Sequence, residues 1–415
     1  MQKKVSWKYL IFIFLLYTFL FNEPLSSVIP AFGYEDELLA VAAVPIWIAV
    51  AAKKKKIPKN PGEAPFVLGF LLCSLLGSIV FNYQPFLKVA LPDMLLCTKF
   101  WLCIYTGRAV INNLNIRRYA GNLYFHIRIV TWFYFLLSII NLATGIFPFF
   151  DYRYGLGSNS LFYSHPTVLA GCCSLLMVML FAIRPYIKGW AFYFALLSVT
   201  MFTTLRTKAI ADTLVFILVY YLIKKKKQKF TLKSLLPLVP AVALIGWSQV
   251  EFYFIRLGEK SARAQLLIKS IQIARDHFPL GAGFGTYGSH YSAIYYSPLY
   301  YKYGLSAIYG LSEKMYSFIC DSFWPMILGQ AGFFGMVFYC LALVKLLQRL
   351  KRIRDKNLDL FISAMAAMSY LLIDSAASTA FAHPLSMPFA LWLGILTAEA
   401  GRTDMREETL MENPG

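Results

Sequence analysis

Twelve predominantly apolar runs follow one another along this chain, and they decide its fold class before any single residue is weighed. A run of ~20 apolar residues covers the ~30 Å hydrocarbon layer of a bilayer. Inside that layer only helices or closed barrels satisfy their backbone polar groups. The runs lie near residues 9–22, 38–52, 65–81, 87–106, 126–148, 166–183, 189–204, 209–223, 234–250, 321–345, 358–375 and 384–400. With 58% apolar and only 15% charged residues, a soluble chain of 415 residues would lack the polar surface to cover its core. The pattern predicts an all-α polytopic integral membrane protein of about 12 transmembrane helices, with residues 1–415 as a single membrane domain. The fourth run is the least regular as a span, because it contains Lys88, Asp93 and Lys99; Lys88 is a candidate partner for Asp93. No small-residue cleavage site follows the first run, which reads as a retained span.

The net charge of +19 comes from 40 basic and 21 acidic residues. The basic residues gather in short clusters between apolar runs, which suits membrane orientation and not nucleic-acid binding. Lys3, Lys4 and Lys8 precede the first run, and Lys53 to Lys56 follow the second. Further clusters are Arg108, Arg117 and Arg118, then Arg184 and Lys188, then Lys224 to Lys227, then Lys345 to Lys356. All fall on one side if both termini are cytoplasmic, while Glu35, Asp36 and Glu37 fall on the other. Seven cysteines sit mostly inside apolar runs and read as packing residues, with no CxxC pair and no zinc-like Cys/His spacing.

Two places break the charge rule. Arg206 and Lys208 occupy the short outer hairpin between spans seven and eight, with Asp212 four residues beyond Lys208 as a local partner. Arg256, Lys260, Arg263, Lys269 and Arg275 occupy a large extracytoplasmic loop, residues 249–320, between spans nine and ten. Positive charge works against an outer location, so it points to a separate task. Within the loop, residues 258–277 read as an amphipathic helix with Ala264, Leu267, Ile268, Ile271 and Ala274 on its apolar face. PLGAGFGTYG, residues 279–288, then forms a glycine-rich turn. Ten tyrosines mark the loop, and their amphipathic rings suit an interface belt or a sugar-binding face.

Several residues could carry chemistry. A guanidinium is permanently charged, and its planar fork of donors matches a phosphate, which marks Arg206, Arg256 and Arg263 as anion-binding candidates. Gly281, Gly283 and Gly285 could present backbone N–H groups to a phosphate, but no strand precedes them, so a nucleotide fold is not indicated. Asp321 opens span ten and is either a helix N-cap or a general base facing the arginines. His165 and His290 are alternative proton acceptors on the same side. Asp93 and Asp374 lie within spans, where ionisable groups face a cavity or a partner.

Three segments resemble the O-antigen ligase and polymerase superfamily of bacterial membrane glycosyltransferases, over roughly residues 162–338. LRTKAIAD, residues 205–212, looks like that family's short outer basic motif. RLGEKSARAQLLIKSIQIARDHFPLGAGFGTYG, residues 256–288, looks like its arginine, helix and glycine-loop segment. DSFWPMILGQAGFFG, residues 321–335, looks like the entry to the following span. Ligases of the superfamily typically carry His-Asn where this chain has Asp321-Ser322, and the acidic residue looks more like Wzy-type repeat-unit polymerases. The resemblance implies an enzyme of the bacterial plasma membrane that joins undecaprenyl-diphosphate-linked oligosaccharide repeat units at the outer face, with inversion, no metal and no cofactor. It implies Arg206, Arg263 and Asp321 as catalytic residues, and Arg256, Lys208, Tyr287, Gly283, His290 and His165 as substrate contacts. Its partners would be lipid-linked donor and acceptor, the bilayer, and chain-length regulator and flippase proteins. Transfer of finished glycan to another acceptor, and glycan transport, are the alternative readings.

Overall fold

The computed structural model describes residues 5–53, 62–111, 114–225, 251, 256–258 and 261–398. The expected ninth span, residues 234–250, lies outside them, as does part of the 249–320 loop. The described chain is mostly helical. Its longer helices are α1 (Trp7–Leu20), α3 (Glu35–Lys53), α4 (Ala64–Phe81), α5 (Leu91–Ala109), α6 (Ile116–Thr144), α7 (Pro166–Ile183), α8 (Trp190–Thr203), α9 (Thr207–Lys225), α10 (Ala262–Asp276), α13 (Phe323–Lys356), α14 (Leu358–Asp374) and α15 (Ser386–Ala398). Short helices α2 (Asn22–Val28), α11 (His290–Ile294) and α12 (Pro298–Lys302) lie between them.

Among the described residues, α4, α6, α7 with its 3₁₀ extension to Tyr186, and α13 are long and apolar enough to cross a membrane. Helices α1 and α2 make a fifth candidate only if counted as one span, and they are bent by 79° at Phe21. The other helices at the predicted runs are shorter, or carry charges such as Asp93 and Lys99 on α5 and Lys208 and Asp212 on α9. The architecture is compatible with an all-α membrane protein. Helix α7 is buried along its whole length and packs on α14, α8 and α6, so it forms the centre of the bundle. Helix α4 packs along α13, and α3 along α5.

Two features position the candidate site. Helix α13 is broken at Gly332, whose φ of 68° and ψ of −171° are not helical. The glycine turn at 279–288 fills the break: Ala282 N–H donates to the Gly329 carbonyl (3.0 Å) and Gly283 N–H to the Gln330 carbonyl (2.9 Å). Phe284 N–H donates to Ser78 Oγ (2.8 Å) and Gly285 N–H to Asp93 Oδ2 (2.7 Å). Buried backbone donors thus find partners on α4, α5 and α13, which fixes the loop against the bundle. Asp93 engages this loop, not Lys88, whose exposed side chain lies on the preceding turn; carboxylate-to-backbone bonding holds the buried charge instead of an ion pair.

The second feature is a two-stranded hairpin, β1 (Tyr152–Arg153) and β2 (Leu156–Gly157), between α6 and α7. Tyr154 and Gly155 turn it with positive φ of 53° and 77°.

The segment 261–320 has its own core. Leu266, Ile273, Tyr287, Leu299, Tyr300, Leu305, Leu311 and Ile319 are all buried together. The buried face of α10 is Ala264, Leu266, Ser270, Ile273 and Ala274. The predicted face was rotated: Leu267 and Ile268 point outward, because the tyrosine core and α13 lie on the side of Leu266 and Ile273. The helix also begins at Ala262 and not at 258, where Ser261 caps it through Ala264 N–H.

Candidate functional site

The chain leaves α8 and re-enters α9 through Leu205, at φ 51°, and Arg206, whose carbonyl accepts from Ala209 and Ile210 N–H. This tight reversal is docked on the segment after the β-hairpin. Asn159 N–H donates to the Thr203 carbonyl (3.0 Å), and Ser158 Oγ–H to the Thr204 carbonyl (2.7 Å). The docking places Asp151, just before β1, against the guanidinium: Arg206 Nη2 lies 3.2 Å from Asp151 Oδ1. Arg153 Nε contacts the other carboxylate oxygen at 3.0 Å. Arg206 is largely buried and also covers the Phe150 ring at 5.1 Å. Burial opposes ionisation of Asp151, but the hydrogen bond from Arg153 and the charges of Arg206 and Arg153 outweigh it and hold the carboxyl below its usual range.

His165 meets the same ring, edge-on to Phe150 at 4.5 Å. It is the N-cap of α7, its Nδ1 accepting from Thr167 N–H at 3.2 Å. Burial, reinforced by the positive charges of Arg206 and Lys208, pushes its pKa down to about 4. At neutral pH it is an uncharged, weakly basic imidazole. Beside it an open groove of about 530 Å³ is lined by Glu23, Phe147, Phe149, Phe150, Phe162 and Tyr163, among others.

Lys208, the second residue of α9, forms an ion pair with Asp374 at the end of α14, and Ser378 Oγ–H donates to Asp374 at 2.6 Å. The expected i, i+4 pairing with Asp212 gives way to this contact across helices. Asp212 is buried deeper in the bundle, and its Oδ1 accepts no hydrogen bond.

Asp321 lies just before α13. Ser322 holds the N-cap position, although its side chain makes no capping bond, so Asp321 is free of that duty and receives Arg263 Nη2 at 3.1 Å. Both side chains are part-buried. Burial raises the proton affinity of Asp321, and the positive charges of Arg263 and Lys208 partly oppose the rise. The charge of Lys208 acts on both Asp321 and His165. Trp324 Nε1–H donates to Ser375 Oγ (3.1 Å) and fixes the start of α13 against the end of α14.

The remaining sequence candidates are placed elsewhere. Arg256 is exposed and pairs with Glu251 at 2.7 Å; among the described residues no contact joins it to Arg206 or Arg263. Tyr287 is fully buried, its hydroxyl donating to the Leu266 carbonyl at 2.6 Å. Gly283 is held in backbone contact with Ser78, and its N–H is engaged by Gln330. His290 opens α11 on the side of Lys99 and Asp36, which form a buried ion pair; burial and the Lys99 charge lower its proton affinity. Sequence reasoning missed Asp151, Phe150 and Arg153. The Tyr-Gly pair at 154–155 was the available signal for a turn that returns this segment to Arg206. Among the described residues no group of three or more His, Cys, Asp or Glu is arranged to hold a metal ion.

No protein-family model matches the chain, and no curated protein is significantly similar to it in sequence.

Proposed function

We propose that this chain is a polytopic inverting glycosyltransferase that polymerises oligosaccharide repeat units carried on undecaprenyl diphosphate. It would lie in the bacterial plasma membrane with about twelve spans, both termini cytoplasmic and the site outside. The observation that carries the reading is the Arg263–Asp321 pair, a guanidinium and a carboxylate 3.1 Å apart and half-sheltered where α13 begins. Such a pair supplies the two things that displacement at a sugar diphosphate needs: a cation for the leaving group and an acceptor for a hydroxyl proton. Lys208 adds positive charge that acts on Asp321, and Arg206 would serve as a further anion contact.

The step balances without a further reactant. Asp321 takes the proton of the acceptor hydroxyl, and the acceptor oxygen bonds to the anomeric carbon of the donor. The bond from that carbon to the diphosphate oxygen breaks, and its electron pair leaves with the diphosphate. Arg263 meets the charge that grows there. Donor and acceptor are both lipid-anchored, which suits a site at the level of the helix ends.

A transporter is the second reading, favoured by the buried pair Asp36–Lys99 and the part-buried pair Lys208–Asp374. Glycosidic bond formation by protein in detergent, with no vesicle lumen, separates the two. With purified protein and a defined lipid-diphosphate oligosaccharide, Arg263→Ala is expected to lower the rate of bond formation by about 100-fold or more, the loss typical of removing one charge-stabilising donor. Full activity of that variant removes the scheme.

A further inference from the structure

Among the described residues, the three cations assigned to the site are each held by a carboxylate: Arg263 by Asp321 (3.1 Å), Arg206 by Asp151 (3.2 Å), and Lys208 by Asp374. An anion that takes the Nη2 donor of Arg263 therefore takes it from Asp321, by exchange. The three carboxylates differ in what they keep after an exchange. Asp151 keeps Arg153, and Asp374 keeps Ser378. Among the described residues, Arg263 is the one side chain that donates to Asp321. The charged groups facing Asp321 are Arg263 from α10 and Lys208 from α9, with the Cys320 thiol adjacent in the chain.

We propose that Asp321 is a counter-ion the substrate displaces: a diphosphate draws Arg263 away, and the carboxylate becomes a competent base only in the loaded enzyme. The proposal rests on the diphosphate reading above and adds the coupling between binding and base strength. Removing the guanidinium leaves a part-buried carboxylate without its stabilising charge, so its affinity for a proton rises. The same movement brings Arg263 to the oxygens where charge develops. Leaving-group stabilisation and proton removal are then switched on by one exchange.

The test uses inorganic pyrophosphate and the full-length protein in detergent, followed by titration calorimetry. Asp321→Asn keeps the side-chain shape but no longer competes for Arg263. It is expected to bind pyrophosphate about threefold or more tightly than wild type, the factor that corresponds to losing a part-exposed ion pair. At mildly acidic pH, wild type is expected to take up protons on binding relative to Asp321→Asn, read from the dependence of the enthalpy on buffer. Equal or weaker binding by a variant with wild-type melting behaviour, or no difference in proton uptake, overturns the proposal. Wild type that extends a lipid-linked glycan but binds no pyrophosphate overturns the exchange and leaves the polymerase reading standing. Wild type that does neither removes both.

Discussion

Asp321 was the first candidate for the base from the sequence, with His165 and His290 as alternatives. Their surroundings separate them. His165 is held near a pKa of about 4 by burial and two cations, so it is a poor acceptor at neutral pH. Asp321 is raised by burial and restrained by Arg263 and Lys208. A base must be deprotonated to act, so activity is lost as pH falls through its pKa. The acid limb of kcat/KM, which reports the free enzyme, is expected above the value of about 4 typical of solvated carboxylates. Residual activity of Arg263→Gln, which lacks the restraining charge, is expected to show that limb moved to higher pH. His165→Asn is expected to leave it in place; a limb that moves with His165 assigns the base to the wrong residue. If the counter-ion leaves on binding, the limb of kcat in wild type lies at higher pH than that of kcat/KM.

The long loop before α13 shows why residue types in a loop are easier to read than their duties. Its helix, its glycine turn and its tyrosines were all legible in the sequence. The glycines, however, hold the loop to the bundle, and Tyr287 ties the glycine turn to α10 within the loop, because buried N–H groups and ring hydroxyls must find partners wherever the chain is packed. Which face of α10 is buried depended on partners distant in sequence, so Leu267 and Ile268 could not be placed by spacing alone. A pair of substitutions tests the clasp. A Cβ at Gly283 would lie 2.5 Å from Ser78 N at a φ of 100°, whereas one at Gly304, φ 70°, meets nothing within 4 Å. Gly283→Ala is expected to destabilise the protein by about 2–4 kcal/mol, and Gly304→Ala by about 1 kcal/mol. Thermal melting in detergent measures both; equal losses would show that the glycine turn is not gripped by α4. The β-hairpin at 152–157 was hidden because two-residue strands carry too little alternation to stand out between apolar runs.

Over the whole chain, helices formed at the predicted runs wherever residues are described, since apolar length is a strong signal. The basic clusters proved to have a second use. Arg108 and Arg349 both reach the buried Glu63, at 3.3 and 2.9 Å, and Arg184 pairs with Asp359. These contacts tie together segments far apart in sequence, which no reading of charge as an orientation signal contained. Orientation itself is testable. A cysteine at exposed Tyr309 is expected to react with a membrane-impermeant maleimide in intact cells, and one at exposed Lys351 only after lysis, measured against the native cysteines as background. The reverse pattern puts the Arg263–Asp321 pair in the cytosol and ends the proposed chemistry. The most direct measurement is mass analysis of products after purified protein meets a defined oligosaccharide on undecaprenyl diphosphate. The account predicts a ladder of products separated by one repeat unit, abolished in Arg263→Ala. Unchanged substrate, or a single transfer with no ladder, contradicts it.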